Sequence, residues 1–257
     1  MPNNAAQNRS AKTATAKKSD CANAAILLAG GSGKRMRGAV KDKVLAPLAG
    51  LPVILRAFGA FLESGKIGEY IFVCRDAAQQ REIKNLIKKH FPSTKAKIKF
   101  TRGGAERQDS VLNGLREVSD KSALAFIHDG ARPMITPENI TSLAEAATRD
   151  GAAVLASRVS DTIKRVAKNK KTLGKCALAD LDRKRLWAMQ TPQVFGCAGI
   201  EKAYEKIAKS GASITDDVAA WTSNGGRISI VENASPNPKI TTPQDIALVE
   251  FLMRKGF

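Results

Sequence analysis

Aromatic side chains are scarce in this chain of 257 residues, at 5% Phe, Trp and Tyr combined. So few flat faces argue against a platform that stacks single-stranded bases. Histidine occurs only at His90 and His128, and the four cysteines (Cys21, Cys74, Cys176, Cys197) show no CxxC spacing. Neither a structural zinc site nor an oxidised disulfide framework is expected from that set. No apolar run approaches the ~18 residues that a membrane span needs. The expectation is a cytoplasmic chain with reduced thiols and no membrane partner. Acidic residues are also in short supply: 24 Asp and Glu face 42 Lys and Arg, a formal net charge of +18. Such an excess implies an anionic partner, and nucleic acid, a lipid surface and phosphorylated small molecules all qualify.

What is present is a hydrophobic share of 43%, enough for one large α/β domain or two small ones. Residues 1–20 are rich in Ala, Asn, Lys, Ser and Thr without apolar periodicity and read as a disordered basic tail. A transit peptide has similar composition, but this stretch lacks Arg enrichment and an amphipathic face. Arg9, Lys12, Lys17 and Lys18 against Asp20 supply little of the excess charge, which therefore belongs to the body.

From Ala24 onward, apolar runs alternate with helical patterns. Residues 24–29, 70–74, 96–100, 123–128 and 152–156 read as strands; 52–63, 77–90, 110–118 and 137–149 read as amphipathic helices. Unbroken apolar strands between helices predict an α/β fold with a Rossmann-like, mostly parallel sheet covered by helices on both faces. Residues 158–186 break the rhythm: they are polar, basic and too long for an ordinary connection, so a protruding β-arm is expected. Helices near 199–209 and 216–223, a strand at 227–231 and a helix at 243–255 then follow.

In such a sheet the ligand crevice lies at the carboxyl ends of the strands. The first strand runs into LAGGSGKRMRG, where glycines at 30, 31 and 33 let backbone N–H groups approach phosphates. It is neither a P-loop nor a dinucleotide fingerprint, because Leu28 and Met36 stand where those patterns require glycine. Lys34, Arg35, Arg37, Lys41 and Lys43 crowd behind it, which suits a polyphosphate. The third strand leads into GGAERQDSV, either a plain loop with Ser110 at a helix start or a nucleotide contact. The fourth leads into HDGARP, where Asp129 is either a turn cap or a hard-cation ligand; His128 reads as a packed neighbour.

Taken in order, LAGGSGKRM, GGAERQDSV, HDGARP, DTIKRV, TPQVF, ITDDVA and KITTPQDI resemble the 2-C-methyl-D-erythritol 4-phosphate cytidylyltransferases across roughly residues 24–254. That resemblance implies a nucleotidyltransferase domain over 21–257, its arm at about 158–186, that joins CTP to a polyol phosphate and releases pyrophosphate. By the same resemblance, Ala29, Gly30 and Gly31 approach the nucleotide, with Arg35 and Lys43 on the triphosphate. Gly104, Arg107 and Ser110 correspond to the cytosine and ribose pocket, and Asp129 to a Mg²⁺ ligand. Thr162, Arg183, Thr191 and Thr215 match positions lining the methylerythritol phosphate site, and Lys239 matches a second catalytic cation. A homodimer is implied, with the arm reaching into the partner's site, and no nucleic-acid partner. Three positions depart from the family pattern: Gly30 replaces alanine, Ala105 stands where many members have an acid, and Asp42 replaces the usual proline before Lys43.

The residues alone leave other roles open. Thr215 also suits a helix cap, Lys239 a surface lysine, and Trp187 with the Thr191-Pro192-Gln193 turn pure packing. A cytidylyltransferase for another polyol phosphate, such as ribitol 5-phosphate, shares most of the motifs. A non-catalytic nucleic-acid-binding protein is the alternative suggested by charge.

Overall fold

The computed structural model describes residues 23–31, 36, 42–166 and 176–257. The tail at 1–20 and Arg35 lie outside these residues. Seven strands form the main sheet in the order β11-β7-β10-β6-β1-β4-β5. They are β1 (Asn23–Leu28), β4 (Glu69–Cys74), β5 (Lys97–Arg102), β6 (Leu124–Asp129), β7 (Ala152–Arg158), β10 (Trp187–Gly196) and β11 (Ser229–Glu232). The pairings β1–β4, β1–β6, β4–β5 and β7–β11 are parallel; β10 alone runs antiparallel to its neighbours β6 and β7.

The apolar runs are unbroken because both sheet faces are covered. Strand alternation sends Ala25 and Leu27 to one core, with α1 (Val53–Glu63), α2 (Ala77–His90) and α4 (Pro137–Asp150). Ala24 and Ile26 face the other core, beneath α3 (Arg107–Arg116), α5 (Cys197–Ser210) and α6 (Asp217–Ser223). A Cβ on Gly114 of α3 would stand 2.6 Å from Ile26 Cγ2, so the missing side chain lets α3 approach β1. A third, smaller core joins α7 (Pro243–Arg254) to Leu48, Val53, Met134 and Ile240. Leu48 belongs to a short ribbon of β2 (Pro47–Leu48) and β3 (Leu51–Pro52).

The expected strands and helices are found within a few residues of their predicted ends, with one large exception. The Thr191-Pro192-Gln193 segment, read as a turn, lies inside the ten-residue β10 in the body of the sheet. The Thr191–Pro192 peptide is cis, and the register with β7 shifts between Met189 and Gln193. Proline and three polar neighbours conceal the strand, because proline within a run ordinarily demotes it. In the 158–186 excursion, β8 (Lys164–Val166) and β9 (Leu178–Asp180) pair antiparallel as a separate two-stranded sheet.

Candidate active site

The strand order reverses at β1: β4 and β5 extend to one side, β6 and its neighbours to the other. A crevice at the carboxyl ends of β1 and β6 follows from that reversal. Leu28, the last residue of β1, pairs in register with Asp129, the last of β6. Asp129 therefore stands beside the Ala29–Gly31 turn. The turn itself lies against the end of β4, where a Cβ on Gly30 would be 3.4 Å from Arg75 N. Gly103 N donates to Cys74 O at 2.8 Å, which sets the loop after β5 in the same row.

Asp129 is the hub of an ion cluster. Its Oδ2 accepts from Lys239 Nζ at 2.6 Å, and its Oδ1 lies 3.4 Å from Arg107 Nε. Arg132 Nε lies 4.0 Å from Oδ2. Burial alone would push the carboxyl up, but Arg107, Lys239 and Arg132 outweigh it and hold Asp129 well below the usual carboxylate range. Arg107 is also committed elsewhere: its NH1 and NH2 each donate at 2.7 Å to Asp217, which is fully buried. Tyr204 Oη donates to the same carboxylate. Burial works against the Arg107 cation, yet Asp217 and Asp129 carry its pKa above the usual arginine value. Arg107 thus ties α3 to α6 while turning Nε toward Asp129. Three cations meet two carboxylates here, a net of one positive charge at the carboxyl ends of β1 and β6.

The backbone beneath Asp129 is equally fixed. His128 is fully buried and edge-on to Phe61, with ring centroids 5.4 Å apart. Its Nε2 is 3.1 Å from Arg132 O, which can only accept, so Nε2 carries the proton. Nδ1 then accepts from Thr191 Oγ1 at 3.2 Å, and Thr191 in turn accepts from Asp129 N at 3.1 Å. Burial lowers the His128 pKa to about 4, so the ring stays neutral at physiological pH. Its predicted role as a packed neighbour matches this geometry.

The remaining candidates fall into two groups. Lys43 Nζ donates at 3.0 Å to Ile240 O, the residue after Lys239, which ties Lys43 to the segment that carries the second lysine. Gly104 N donates to Ser110 Oγ at 3.0 Å, closing one turn that holds both residues. A Cβ on Gly104 would stand 2.2 Å from Asp109 Cβ, so this turn requires glycine. The α3 helix starts earlier than predicted, with Glu106 as its cap, and Ser110 lies inside its first turn. Asp216, not Thr215, caps α6 through Ala219 N at 2.9 Å, and Thr215 is exposed. Thr162 and Arg183 are exposed on the excursion, where Arg183 NH1 donates to Ser160 O at 2.8 Å. Among the described residues no hydrogen bond or ion pair joins either to Asp129.

Sequence reasoning missed Arg132 and Asp217. Both were visible beside selected residues: Arg132 within HDGARP, three residues beyond Asp129 across a tight turn, and Asp217 within ITDD. Among the described residues no group of three His, Cys, Asp or Glu side chains converges on a metal position. The donor set suits only a hard cation that takes one carboxylate and fills its remaining positions with phosphate oxygens and water.

A reversed parallel sheet, a glycine-rich turn after β1, and an ionised Asp held among cations define an α/β nucleotidyltransferase. The chain belongs to the 2-C-methyl-D-erythritol 4-phosphate cytidylyltransferase family, whose model matches residues 23–255. It is 37% identical over 230 residues to the rice protein named 2-C-methyl-D-erythritol 4-phosphate cytidylyltransferase, chloroplastic, covering 90% of this chain and 74% of that protein. The Bacillus velezensis enzyme of that name is also 37% identical, covering 89% and 94% respectively. The crystal structure of 4-diphosphocytidyl-2C-methyl-D-erythritol synthase from Anaerococcus prevotii superposes with a TM-score of 0.78 at 26% identity, covering 90% of this chain and 95% of that one. The Thermus thermophilus cytidylyltransferase superposes at 0.69 and 27% identity, covering 90% and 99%.

Proposed function

We propose that this chain transfers the cytidylyl group of CTP to 2-C-methyl-D-erythritol 4-phosphate, a step toward isoprenoid precursors. The observation that carries the reading is the ionised Asp129 at the sheet reversal, closed on by Lys239, Arg107 and Arg132, in a chain of this family. A phosphate oxygen of the polyol attacks the α-phosphorus of CTP. One O–P bond forms there, the bond to the β-phosphate bridge breaks, and pyrophosphate leaves. The attacking oxygen is already ionised near neutral pH, so no general base is needed, which fits a neutral, enclosed His128. What the reaction needs is in-line positioning and neutralisation of charge.

The Ala29–Gly31 turn, Gly104 and Ser110 receive the nucleotide. Arg35, Lys43 and Lys239 carry the triphosphate charge, Arg107 and Arg132 hold Asp129 in place, and Thr191 supports it from beneath. Thr162, Arg183 and Thr215 meet the polyol phosphate. Mg²⁺ is the cation that Asp129 would hold together with substrate phosphate oxygens, where it supplies Lewis-acid charge neutralisation. The arm residues Thr162 and Arg183 serve the partner's site in a homodimer. A cytoplasmic setting belongs to the same reading; separately, among the described residues no helix is long and apolar enough to cross a membrane. The direct test is pyrophosphate release with each nucleoside triphosphate paired with each polyol phosphate. CTP with methylerythritol phosphate gives the highest kcat/KM; equal turnover of ribitol 5-phosphate overturns the acceptor, and equal use of UTP overturns the base pocket.

A further inference from the structure

Two stretches on the nucleotide side, Ala29–Gly31 and Lys43, are separated in sequence but held by one side chain. Gln79, in the first turn of α2, is 2% exposed. Its Nε2 donates to Ala29 O at 3.1 Å and to Asp42 Oδ2 at 2.6 Å, and its Oε1 accepts from Arg75 N at 2.6 Å. A primary amide nitrogen has two hydrogens, so one goes to each stretch and neither is spare. Asp42 is secured from other sides as well. Its Oδ2 meets Arg75 NH2 at 3.2 Å, and its Oδ1 accepts from Val44 N at 3.1 Å. Gln79 is anchored in turn, since its backbone N donates at 2.8 Å to Asp76, the cap of α2.

We propose that Gln79 and Asp42, with Arg75, form a positioning clamp that fixes Lys43 relative to the Ala29–Gly31 turn, so that the CTP-binding half of the site is set before the nucleotide arrives. The clamp rests on the cytidylyltransferase reading above. Asp42 fixes its stretch of backbone through side-chain partners, and Gln79 and Arg75 are those partners. None of the three touches the reacting atoms. Their effect is on where Lys43 and the turn stand, so losing the clamp weakens CTP binding more than it slows the chemical step.

A polarity swap tests this contact. Gln79→Glu keeps the side-chain shape but replaces both donors with a carboxylate facing Asp42. With the other substrate saturating, this variant raises the KM for CTP about tenfold, the order expected when a buried hydrogen-bonded pair is set in conflict. The KM for methylerythritol phosphate stays within about twofold, because the clamp lies on the nucleotide side. Asp42→Asn alone sets two amide nitrogens against each other, and flipping the amide only moves the conflict to Val44 N. Combining the substitutions pairs donor with acceptor again at position 42 and leaves only the Ala29 carbonyl opposed, so the double variant binds CTP better than Gln79→Glu alone. Asp42→Ala, which removes the anchor without adding a conflict, raises the CTP KM in the same direction and serves if Gln79→Glu does not fold. A CTP KM unchanged in Asp42→Ala, an equal rise in both KM values, or a double variant no better than Gln79→Glu overturns the clamp. Failure of the underlying reading registers separately, as no CTP-dependent pyrophosphate release by the unsubstituted protein, and removes the clamp with it.

Discussion

The Asp129 cluster and the 158–186 arm contrast at every level. Around Asp129, the polar groups are met from within the same chain apart from the buried Arg132 Nε, which makes no hydrogen bond; His128, Thr191, Arg107, Lys239 and Asp217 form connected, largely buried bonds drawn from both halves of the sequence. On the arm, Thr162 and Arg183 are exposed, Arg183 holds only the Ser160 carbonyl among the described residues, and Ile163 and Leu178 offer apolar side chains to solvent. A buried, extensively bonded cluster holds charges at fixed positions before substrate arrives. An exposed arm carrying substrate-type residues gains an equivalent environment only by packing against something else. In the homodimer proposed above, one half of each site is preorganised within a chain and the other half is supplied across a two-fold axis.

The largest effect expected from that contrast lies in the cluster. Lys239→Ala lowers kcat by ~10²-fold or more, as removal of a preorganised electrostatic contact commonly does. The variant stays folded, because the lysine is only half-buried. Steady-state pyrophosphate release checks this, and a near-normal kcat would detach Lys239 from the reaction.

A smaller effect follows from His128. In the folded chain its pKa is lowered to about 4, against 6.5 ordinarily, so between those values the unfolded chain binds more protons. Stability therefore falls as pH drops from about 6.5 toward 4, by up to about 3 kcal/mol if no other group compensates. Thermal melting between about pH 7 and 5 reads this before most carboxylates titrate. His128→Gln starts less stable but loses less over that interval; an unchanged slope would mean that His128 is not the group responsible.

The smallest effect separates two neighbours on the ITDD segment. Asp216→Ala removes the α6 cap and costs about 1 kcal/mol of stability. Thr215→Ala leaves the melting temperature unchanged and raises the KM for the polyol phosphate. A stability loss at Thr215 with unchanged KM would return that residue to a structural role.

The same contrast governs what the sequence made readable. In the β1–β4–β5 half, glycines mark the ends of β1 and β5 and the Asp76 cap marks the start of α2, so these loops could be located from periodicity and turn chemistry alone. Asp129 was recognised because it follows four apolar residues and one histidine in β6. The β10 strand was hidden, because Gln190, Thr191, Pro192 and Gln193 are polar or ring-constrained, and their burial depends on partners distant in sequence: Ser157, Asn233, Asn237 and Asp216. Arg107 showed similar limits. Its motif was plain, but its pairing with Asp217 joins residues on opposite sides of the arm, and no local pattern encodes such a contact. Gln79 carried no motif at all, and only folding brings Ala29 and Asp42 to it.

The proposed sharing of the site between two chains is tested most directly by mixing. Lys239→Ala damages the cluster of one chain, and Arg183→Ala damages the arm that chain lends. Each variant alone should be nearly inactive. After reversible dissociation and equal mixing, half the dimers are heterodimers, each with one doubly damaged and one intact site. Activity then returns to roughly a quarter of the unsubstituted level, by the arithmetic of a two-fold assembly with shared sites. No recovery, with subunit exchange verified, would show that Arg183 serves its own chain and that the arm does not cross.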